Sequence, residues 1–100
     1  MVVYISGPMT GLPNLNRPAF EAAAVRLWDA GDMPIIPHEL APERLDWESE
    51  RAYWRRCLDK DLAYLPQCDA IFMLRGWEES AGAKREYARA RELGLQVTYE

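Results

Sequence analysis

The sequence predicts an α/β fold in which a short, mostly parallel sheet of four to five strands lies between layers of helices. Short apolar runs typical of buried strands alternate with longer segments of helical periodicity, and Gly and Pro separate them. The predicted order is strand, helix, strand, helix, strand, helix, strand. This alternation favours a parallel sheet covered by helices.

The first half of the chain contributes two predicted strands and one helix. Val2–Ser6 is the opening strand, and a helix is expected over Arg17–Ala30, with Gly31 as its C-terminal stop. The residues predicted to face the core from this helix are Phe20, Ala24 and Leu27. Pro34–Pro37 gives a weak signal for the second strand.

The second half contributes two more helices and two more strands. Asp46 is the predicted cap of a helix that runs to about Leu65. The stripe predicted to face the core consists of Trp54, Leu58, Asp61 and Leu65. The third strand is expected over Asp69–Leu74, the third helix over Ser80–Leu93 and the last strand over Gln96–Tyr99.

Composition restricts the classes of protein and partner. With 100 residues, 49% hydrophobic and 28% charged, the sequence predicts one folded domain over residues 1–100. The net charge is −4 and the basic residues are scattered, which argues against nucleic acid as the main partner but leaves room for a small anion. No apolar run is long enough for a membrane helix, and the N-terminus has no signal-peptide pattern, so we expect a cytoplasmic protein without a membrane partner.

The residues that commonly bind metals form no recognisable motif. Cys57 and Cys68 have no CxxC or Cys/His spacing, which favours free thiols. His38 is the only histidine and is interpreted as a loop residue without a triad or a metal. We therefore expect no metal and no cofactor.

Glu86 is the first catalytic candidate, because it places a carboxylate on the apolar stripe of a helix. Ser80 is the predicted N-cap, and Ala83, Tyr87 and Ala90 fall on the same stripe as Glu86. The helix dipole near an N-terminus favours an ionised carboxylate, which suits a nucleophile or an electrostatic stabiliser. The alternative is a solvated glutamate in the first turn of the helix.

Two glycine-containing loops are expected to meet at one site. The segments Ser6–Gly11 and Gly76–Trp77 each follow a predicted strand, and ligands of parallel sheets bind at the carboxyl ends of the strands. Neither GxGxxG nor GxxxxGK[ST] is present, which argues against the usual dinucleotide fold and against a P-loop. Backbone N–H groups of these loops could still bind an anion, and two ordinary turns are the alternative.

Two motifs resemble the nucleoside 2-deoxyribosyltransferase-like superfamily: YISGPMTG at the start and SAGAKREYA near the end. The similarity is strongest to a group of small bacterial and phage domains (DUF4406-like) with a central CDAI. It implies a flavodoxin-like or Rossmann-like fold and cleavage of an N-glycosidic bond. It further implies that Glu86 is the nucleophile, that Tyr4 orients it, and that Asp61 contacts substrate. The alternatives are that Tyr4 is a strand aromatic packed in the core and that Asp61 lies on a helix surface.

Ser80 bears on the choice between nucleosides and nucleotides. Superfamily members that act on free nucleosides tend to have an acid at this position, whereas nucleotide N-hydrolases have a serine that touches the 5′-phosphate. A carboxylate would repel a phosphate and a hydroxyl can donate to it, so Ser80 favours a nucleotide. Arg17 could complete an anion site or point to water, and Trp77 could stack on a base or close the edge of the core. The candidate substrate-binding residues are Ser6, Gly7, Pro8, Met9, Arg17, Asp61, Trp77, Ser80 and Gly82.

The resemblance thus predicts an enzyme that cleaves the N-glycosidic bond of a (deoxy)nucleoside 5′-monophosphate, as a hydrolase or a deoxyribosyltransferase. The transferases of the superfamily have longer chains and complete each site with a neighbouring subunit, which favours hydrolysis here and implies a homo-oligomer. Two alternatives stay open: a module that binds a nucleotide without cleaving it, and an NAD or ADP-ribose glycohydrolase.

Overall fold

Four parallel strands form the single sheet of the computed structural model, which describes residues 1–100. The strands are β1 (Val2–Ser6), β2 (Met33–Ile35), β3 (Ala70–Met73) and β4 (Gln96–Tyr99), in the spatial order β2-β1-β3-β4. Tyr4 in β1 pairs with Ile35 on one side and with Ile71 on the other. The chain therefore leaves β1 in one direction and returns to its opposite side, so the strand order reverses between β1 and β3, the place where parallel sheets commonly bind ligands at the carboxyl ends of their strands.

Four helices connect and cover the strands. They are α1 (Arg17–Asp29), α2 (Pro37–Leu40), α3 (Glu50–Tyr64) and α4 (Ala81–Leu93), with 3₁₀ turns at Pro13–Asn16, Leu65–Gln67 and Trp77–Glu79. None of the helices has the length and apolar character needed to span a bilayer. The α/β class and the parallel sheet are confirmed.

The core has one apolar cluster on each face of the sheet. Strand residues alternate between the faces, so Tyr4 and Ile71 pack with α3 and α4, while Ile5 packs against Phe20 of α1. Complete burial of a side chain such as Phe20 contributes about 1.5 to 3 kcal/mol. The two clusters fix β1 in the middle of the molecule.

Three predictions in the middle of the chain were wrong in detail. The second strand covers Met33–Ile35, and Pro37 begins α2 because its fixed φ suits a first helical turn. His38 consequently lies in α2 and not in a loop. The cap of α3 is Ser49, whose Oγ accepts a hydrogen bond of 3.1 Å from the backbone N–H of Ala52, and not Asp46.

An ion pair between the buried Glu48 and the partly exposed Arg56 explains why α3 begins later than predicted. The Glu48 side chain is only 3% exposed, and its two oxygens accept hydrogen bonds of 2.6 and 2.8 Å from the Arg56 guanidinium. Glu48 Oε1 also accepts from the backbone N–H of Leu45 at 3.1 Å. Arg56 lowers the pKa of Glu48 to about 2. The residues before α3 are thus fastened to the helix and do not extend it.

The loop between β1 and α1 contains an uncommon backbone conformation. Asn14, Leu15 and Asn16 all have positive φ, at 54°, 52° and 58°. The left-handed region costs L-residues roughly 1 to 2 kcal/mol each, and side chains of Asn offset part of that cost locally. Contacts from other parts of the chain must therefore hold this turn.

Candidate active site

Glu86 lies in the second turn of α4 and faces the sheet. It is 5% exposed, and its neighbours on the same stripe, Ala83 and Ala90, are buried as well. The predicted inward stripe is confirmed, and the alternative of a solvated first-turn glutamate is wrong. A buried carboxylate needs hydrogen-bond partners, because desolvation without them is costly.

Both oxygens of Glu86 have such partners on β1. The Tyr4 hydroxyl donates to Oε2 at 2.6 Å, and the Ser6 hydroxyl donates to Oε1 at 2.6 Å. Tyr4 and Ser6 are two residues apart in a strand, so their side chains emerge on the same face of the sheet. Both donors are completely buried. The strand therefore holds the carboxylate in one orientation.

Asp61 brings a second carboxyl group to the same place. It lies on the inner face of α3, is 7% exposed, and interacts with Glu86 and Tyr4. Its Oδ1 is buried and has no hydrogen-bond partner. An ionised carboxylate with a bare buried oxygen is unfavourable, so this environment favours the protonated acid.

The electrostatics of the pair follow from burial and proximity. Burial, followed by the charge of Glu86, raises the pKa of Asp61 to about 9. Burial also raises the pKa of Glu86, although hydrogen bonds from Ser6, Tyr4 and Asp61 oppose the shift. The helix dipole favours the ionised form of Glu86, but desolvation is the larger effect at this buried position. Both pKa values are therefore raised, and the charge of Glu86 favours the protonated form of Asp61.

The two glycine-containing loops meet as predicted. A Cβ added to Gly7 would lie 2.7 Å from Leu74 Cβ, and one added to Gly76 would lie 3.4 Å from the ring of Pro8. Gly7 thus permits close approach to the end of β3, and Gly76, with φ of 87°, makes the turn beneath Pro8. Met9 is partly buried and packs against the cluster on the α1 face.

Ser80 and Gly82 occupy the N-terminus of α4. The Ser80 Oγ accepts from the backbone N–H of Ala83 at 3.2 Å, which confirms the predicted cap. The hydroxyl hydrogen of Ser80 is left free for another acceptor. A Cβ added to Gly82 would lie 3.6 Å from Trp54 Cζ2 and 4.0 Å from Leu58 Cδ1, so Gly82 faces α3.

Trp77 and Arg17 have other contacts than the carboxyl groups of Glu86 and Asp61. The Trp77 ring packs against Tyr87 at a centroid distance of 4.6 Å and against Tyr99 at 6.4 Å. This is the contact expected of a residue that closes the edge of the core. Arg17 lies beside Glu21, 3.4 Å away along α1.

A shallow cleft of about 250 Å³ opens at the carboxyl ends of β3 and β4. It is lined by residues 73–78 together with Tyr99 and Glu100. Glu86 and Asp61 do not line it, and no third His, Cys, Asp or Glu joins them in a cluster that could bind a metal.

The role of Ser6 is the feature that the sequence did not reveal. The residue is predicted to bind substrate, yet the structure places it beneath Glu86 as a hydrogen-bond donor. The period of two along β1 was the available signal, since it puts Ser6 on the same face as Tyr4. The missing information was the position of α4 over that face.

The sequence and the fold were compared with known protein families and solved structures. Residues 1–99 match the family described as "Domain of unknown function (DUF4406)". The chain belongs to the DUF4406 family. No curated protein matches it significantly.

Solved structures share the fold of this DUF4406 protein at low sequence identity. A 2-deoxyribosyltransferase from Bacillus psychrosaccharolyticus superposes with a TM-score of 0.75 at 18% identity, over 99% of this chain and 71% of its own. A 2-deoxyribosyltransferase from Leishmania mexicana gives 0.66 at 20% identity, over 98% of this chain and 62% of its own. The CMP N-glycosidase BcmB of Clostridium botulinum gives 0.64 at 16% identity, over 99% of this chain and 70% of its own. The DUF4406 protein therefore has the nucleoside 2-deoxyribosyltransferase-like fold.

Proposed function

We propose that this DUF4406 protein cleaves the N-glycosidic bond of a (deoxy)nucleoside 5′-monophosphate, with Glu86 as the nucleophile. The observation that carries the proposal is the buried Glu86 carboxylate, both of whose oxygens accept hydrogen bonds, beside the buried carboxyl of Asp61, whose Oδ1 has no partner. Burial and the charge of Glu86 raise the pKa of Asp61 to about 9, which suits a proton donor. An anionic nucleophile and a proton donor side by side are the two groups that displacement of a base from a sugar needs.

In the first step, one oxygen of Glu86 attacks C1′ of the sugar while the bond from C1′ to the base nitrogen breaks. The electron pair of that bond leaves with the base, and Asp61 supplies the proton that neutralises it. Positive charge develops on the sugar ring in the transition state, and the Glu86 carboxylate stabilises it. Tyr4 and Ser6 keep the carboxylate in place, so little reorganisation is needed.

In the second step, water or an acceptor base attacks C1′ of the glycosyl-enzyme. The bond between C1′ and Glu86 breaks, the carboxylate is restored, and the proton of the attacking group returns to Asp61. Attack by water makes the protein a hydrolase, and attack by a base makes it a deoxyribosyltransferase. The three structural neighbours named above include both activities, which supports this reaction class.

The N-terminus of α4 is the proposed 5′-phosphate site. The first N–H groups of a helix lack intrahelical partners and favour an anion. Ser80 adds a free hydroxyl donor at the same place. The backbone of Gly7 to Met9 follows the carboxyl end of β1, which is the neighbour of β3, the strand that leads to α4. We further propose Gly82, Trp77 and Arg17 as residues that border the bound nucleotide.

The decisive experiment measures free base released from nucleosides, their 5′-monophosphates and NAD by liquid chromatography. Glu86→Gln keeps the shape of the side chain but removes the charge, and we expect release from monophosphates to fall at least about 1000-fold. The matched control is Glu92→Gln, an exposed glutamate at the other end of α4, which should leave release unchanged. Mass spectrometry of acid-quenched wild type should show the sugar phosphate on the peptide that contains Glu86.

Each other result has a defined meaning. If no substrate releases a base while monophosphates still bind, the protein is a nucleotide-binding module and the proposal fails. If nicotinamide is released from NAD and the monophosphates stay intact, the protein is an NAD glycohydrolase. If the Glu86→Gln variant keeps full activity, Glu86 is not the nucleophile.

A further inference from the structure

The loop that joins β1 to α1 depends on a contact with His38. Asn14, Leu15 and Asn16 form a left-handed turn of three consecutive residues, although L-residues enter that region only singly without support. Leu15 has no polar side chain that could stabilise the conformation locally. The backbone N–H of Leu15 donates to the carbonyl oxygen of Leu12 at 3.0 Å, and that of Arg17 donates to the carbonyl oxygen of Asn14. Side chains must add the remaining support.

Two side-chain hydrogen bonds supply it. His38 Nε2 lies 2.8 Å from the carbonyl oxygen of Leu15, and Asn16 Nδ2 donates to the carbonyl oxygen of Pro8 at 3.0 Å. A carbonyl oxygen can only accept, so His38 carries a hydrogen on Nε2. The His38 ring also packs edge-on against the buried Phe20, at a centroid distance of 4.7 Å. Nδ1 of His38 is buried without a partner, so the bond to Leu15 is its one polar contact.

The left-handed turn in turn fixes the loop at the candidate active site. The carbonyl of Pro8 is held by Asn16, and the ring of Pro8 lies over Gly76 at the end of β3. Ser6, which precedes this loop directly, donates to Glu86. Displacement of the turn would therefore move the loop at the edge of the site without removing the Glu86 contacts.

We propose that His38 is a positioning residue, which acts through Leu15 and Asn16 to hold the loop of residues 7–11 in the conformation that binds substrate. The proposal rests on the function proposed above for the same site. His38 does not touch the reacting atoms, so its loss should weaken substrate binding more than the chemical step.

The test compares two substitutions of His38 whose side-chain amide nitrogens reach different positions. In His38→Gln the side-chain nitrogen falls near the position of Nε2, whereas in His38→Asn it falls near Nδ1 and cannot reach Leu15. Hydrogen exchange by mass spectrometry should show that the amides of residues 12–17 exchange at least tenfold faster in His38→Asn and within twofold of wild type in His38→Gln. Equal exchange in both variants and the wild type would overturn the proposal.

The kinetic readout separates positioning from a general loss of structure. For base release, His38→Asn should raise KM about tenfold and leave kcat within about threefold, and His38→Gln should restore KM. Adding Leu15→Gly to His38→Asn should recover much of the lost KM, because glycine enters the left-handed region freely. A fall in kcat at unchanged KM, or no recovery in either variant, would contradict positioning through this turn.

The two readouts also keep the proposals apart. If no form of the protein releases a base, the proposed function fails, and exchange still decides whether His38 holds the turn. If His38→Asn does not fold, as judged by circular dichroism, the comparison is made with Asn16→Ala. That variant removes the bond to Pro8 and should raise KM in the same way, and an unchanged KM would overturn the proposal.

Discussion

The buried carboxylate of Glu86 is stabilised in the core by two hydroxyl donors. Hydrogen bonds to charged groups contribute about 1.5 to 3 kcal/mol each, more than neutral ones. Tyr4 and Ser6 both donate to it at 2.6 Å. Their hydrogen bonds lower the pKa of Glu86 against the effect of burial. The two donors thus keep more of the ionised carboxylate present than burial alone would allow.

At Ser80, one substitution tests for a bound phosphate. Aspartate caps helices as well as serine does, so Ser80→Asp should preserve α4 while it adds a charge that repels a 5′-phosphate. We expect kcat/KM for the 5′-monophosphate to fall about tenfold or more, and kcat/KM for the free nucleoside to change much less. Steady-state chromatography of base release measures both.

The chain offers a matched control for this prediction at the cap of α3. Ser49 accepts from Ala52 just as Ser80 accepts from Ala83, at 3.1 and 3.2 Å. Ser49→Asp should have an equally small effect on kcat/KM for the 5′-monophosphate and for the free nucleoside. Equal losses on both substrates in Ser80→Asp would mean that Ser80 serves only as a cap.

At the scale of elements, the loop after β1 is held against the end of β3 by a backbone hydrogen bond and a close side-chain contact. Leu74 donates its backbone N–H to the carbonyl oxygen of Ser6 at 2.8 Å, so the backbone of Leu74 cannot retreat. Gly7 follows Ser6 directly and lies against the Leu74 side chain. A glycine is required here for space and not for a positive φ.

Gly7→Ala and Gly82→Ala should therefore differ in stability. The new Cβ at position 7 would lie 2.7 Å from Leu74 Cβ, and we expect the free energy of unfolding to fall by about 1 to 3 kcal/mol. At position 82 the new Cβ would make ordinary contacts of 3.6 Å or more, and helix propensity should raise stability by up to about 1 kcal/mol. Urea denaturation measures both, and an equal effect of the two substitutions would contradict this packing argument.

At the scale of the whole molecule, the raised pKa of Asp61 makes the free energy of unfolding depend on pH. The pKa of Asp61 is about 9 in the folded state and 3.8 as its ordinary value. The folded state therefore binds a proton that the unfolded state releases above about pH 4. The stabilisation is complete below that pH and is lost as pH rises through 9.

We expect the free energy of unfolding to decrease between pH 5 and 9 by as much as about 1.4 kcal/mol per pH unit from this group. Asp61→Asn should flatten the profile, because the amide does not titrate. Asp59→Asn, an exposed aspartate on the same helix, is the control and should leave the slope unchanged. Urea titrations at several pH values measure the slope, and a steep profile in Asp61→Asn would show that another group causes it.

An exposed apolar face on α1 supports the proposal that the protein is a homo-oligomer. Val25 is 59% exposed and Trp28 is 62% exposed, and residues three apart share a helix face. Light scattering should give a mass above the 11.5 kDa of one chain, and Trp28→Glu should lower it. Trp47→Glu alters an even more exposed tryptophan outside the helices and should leave the mass unchanged. A monomer at all concentrations would contradict the proposal.

Much of the fold was predictable because local patterns are sufficient for it. Val2–Ser6 and Gln96–Tyr99 were predicted to the residue, since Gly7 directly follows the first strand and Gly94 lies two residues before the last. The boundary near Pro37 was wrong because Pro37 begins α2, and the boundary near Asp46 was wrong because the ion pair of Glu48 and Arg56 overrides the local capping signal. That pair joins residues eight apart and has no signature in the sequence.

The sequence by itself determined the α/β class, the inward stripe that carries Glu86, and the cap at Ser80. Each of these depends on spacing along one helix or strand, which the order of residues contains. Only the tertiary structure decided that Tyr4 and Ser6 donate to Glu86, that Asp61 is buried beside them with a raised pKa, and that His38 contacts a left-handed turn. These features depend on burial and on contacts between residues up to 82 positions apart, which the packing of helices on the sheet creates.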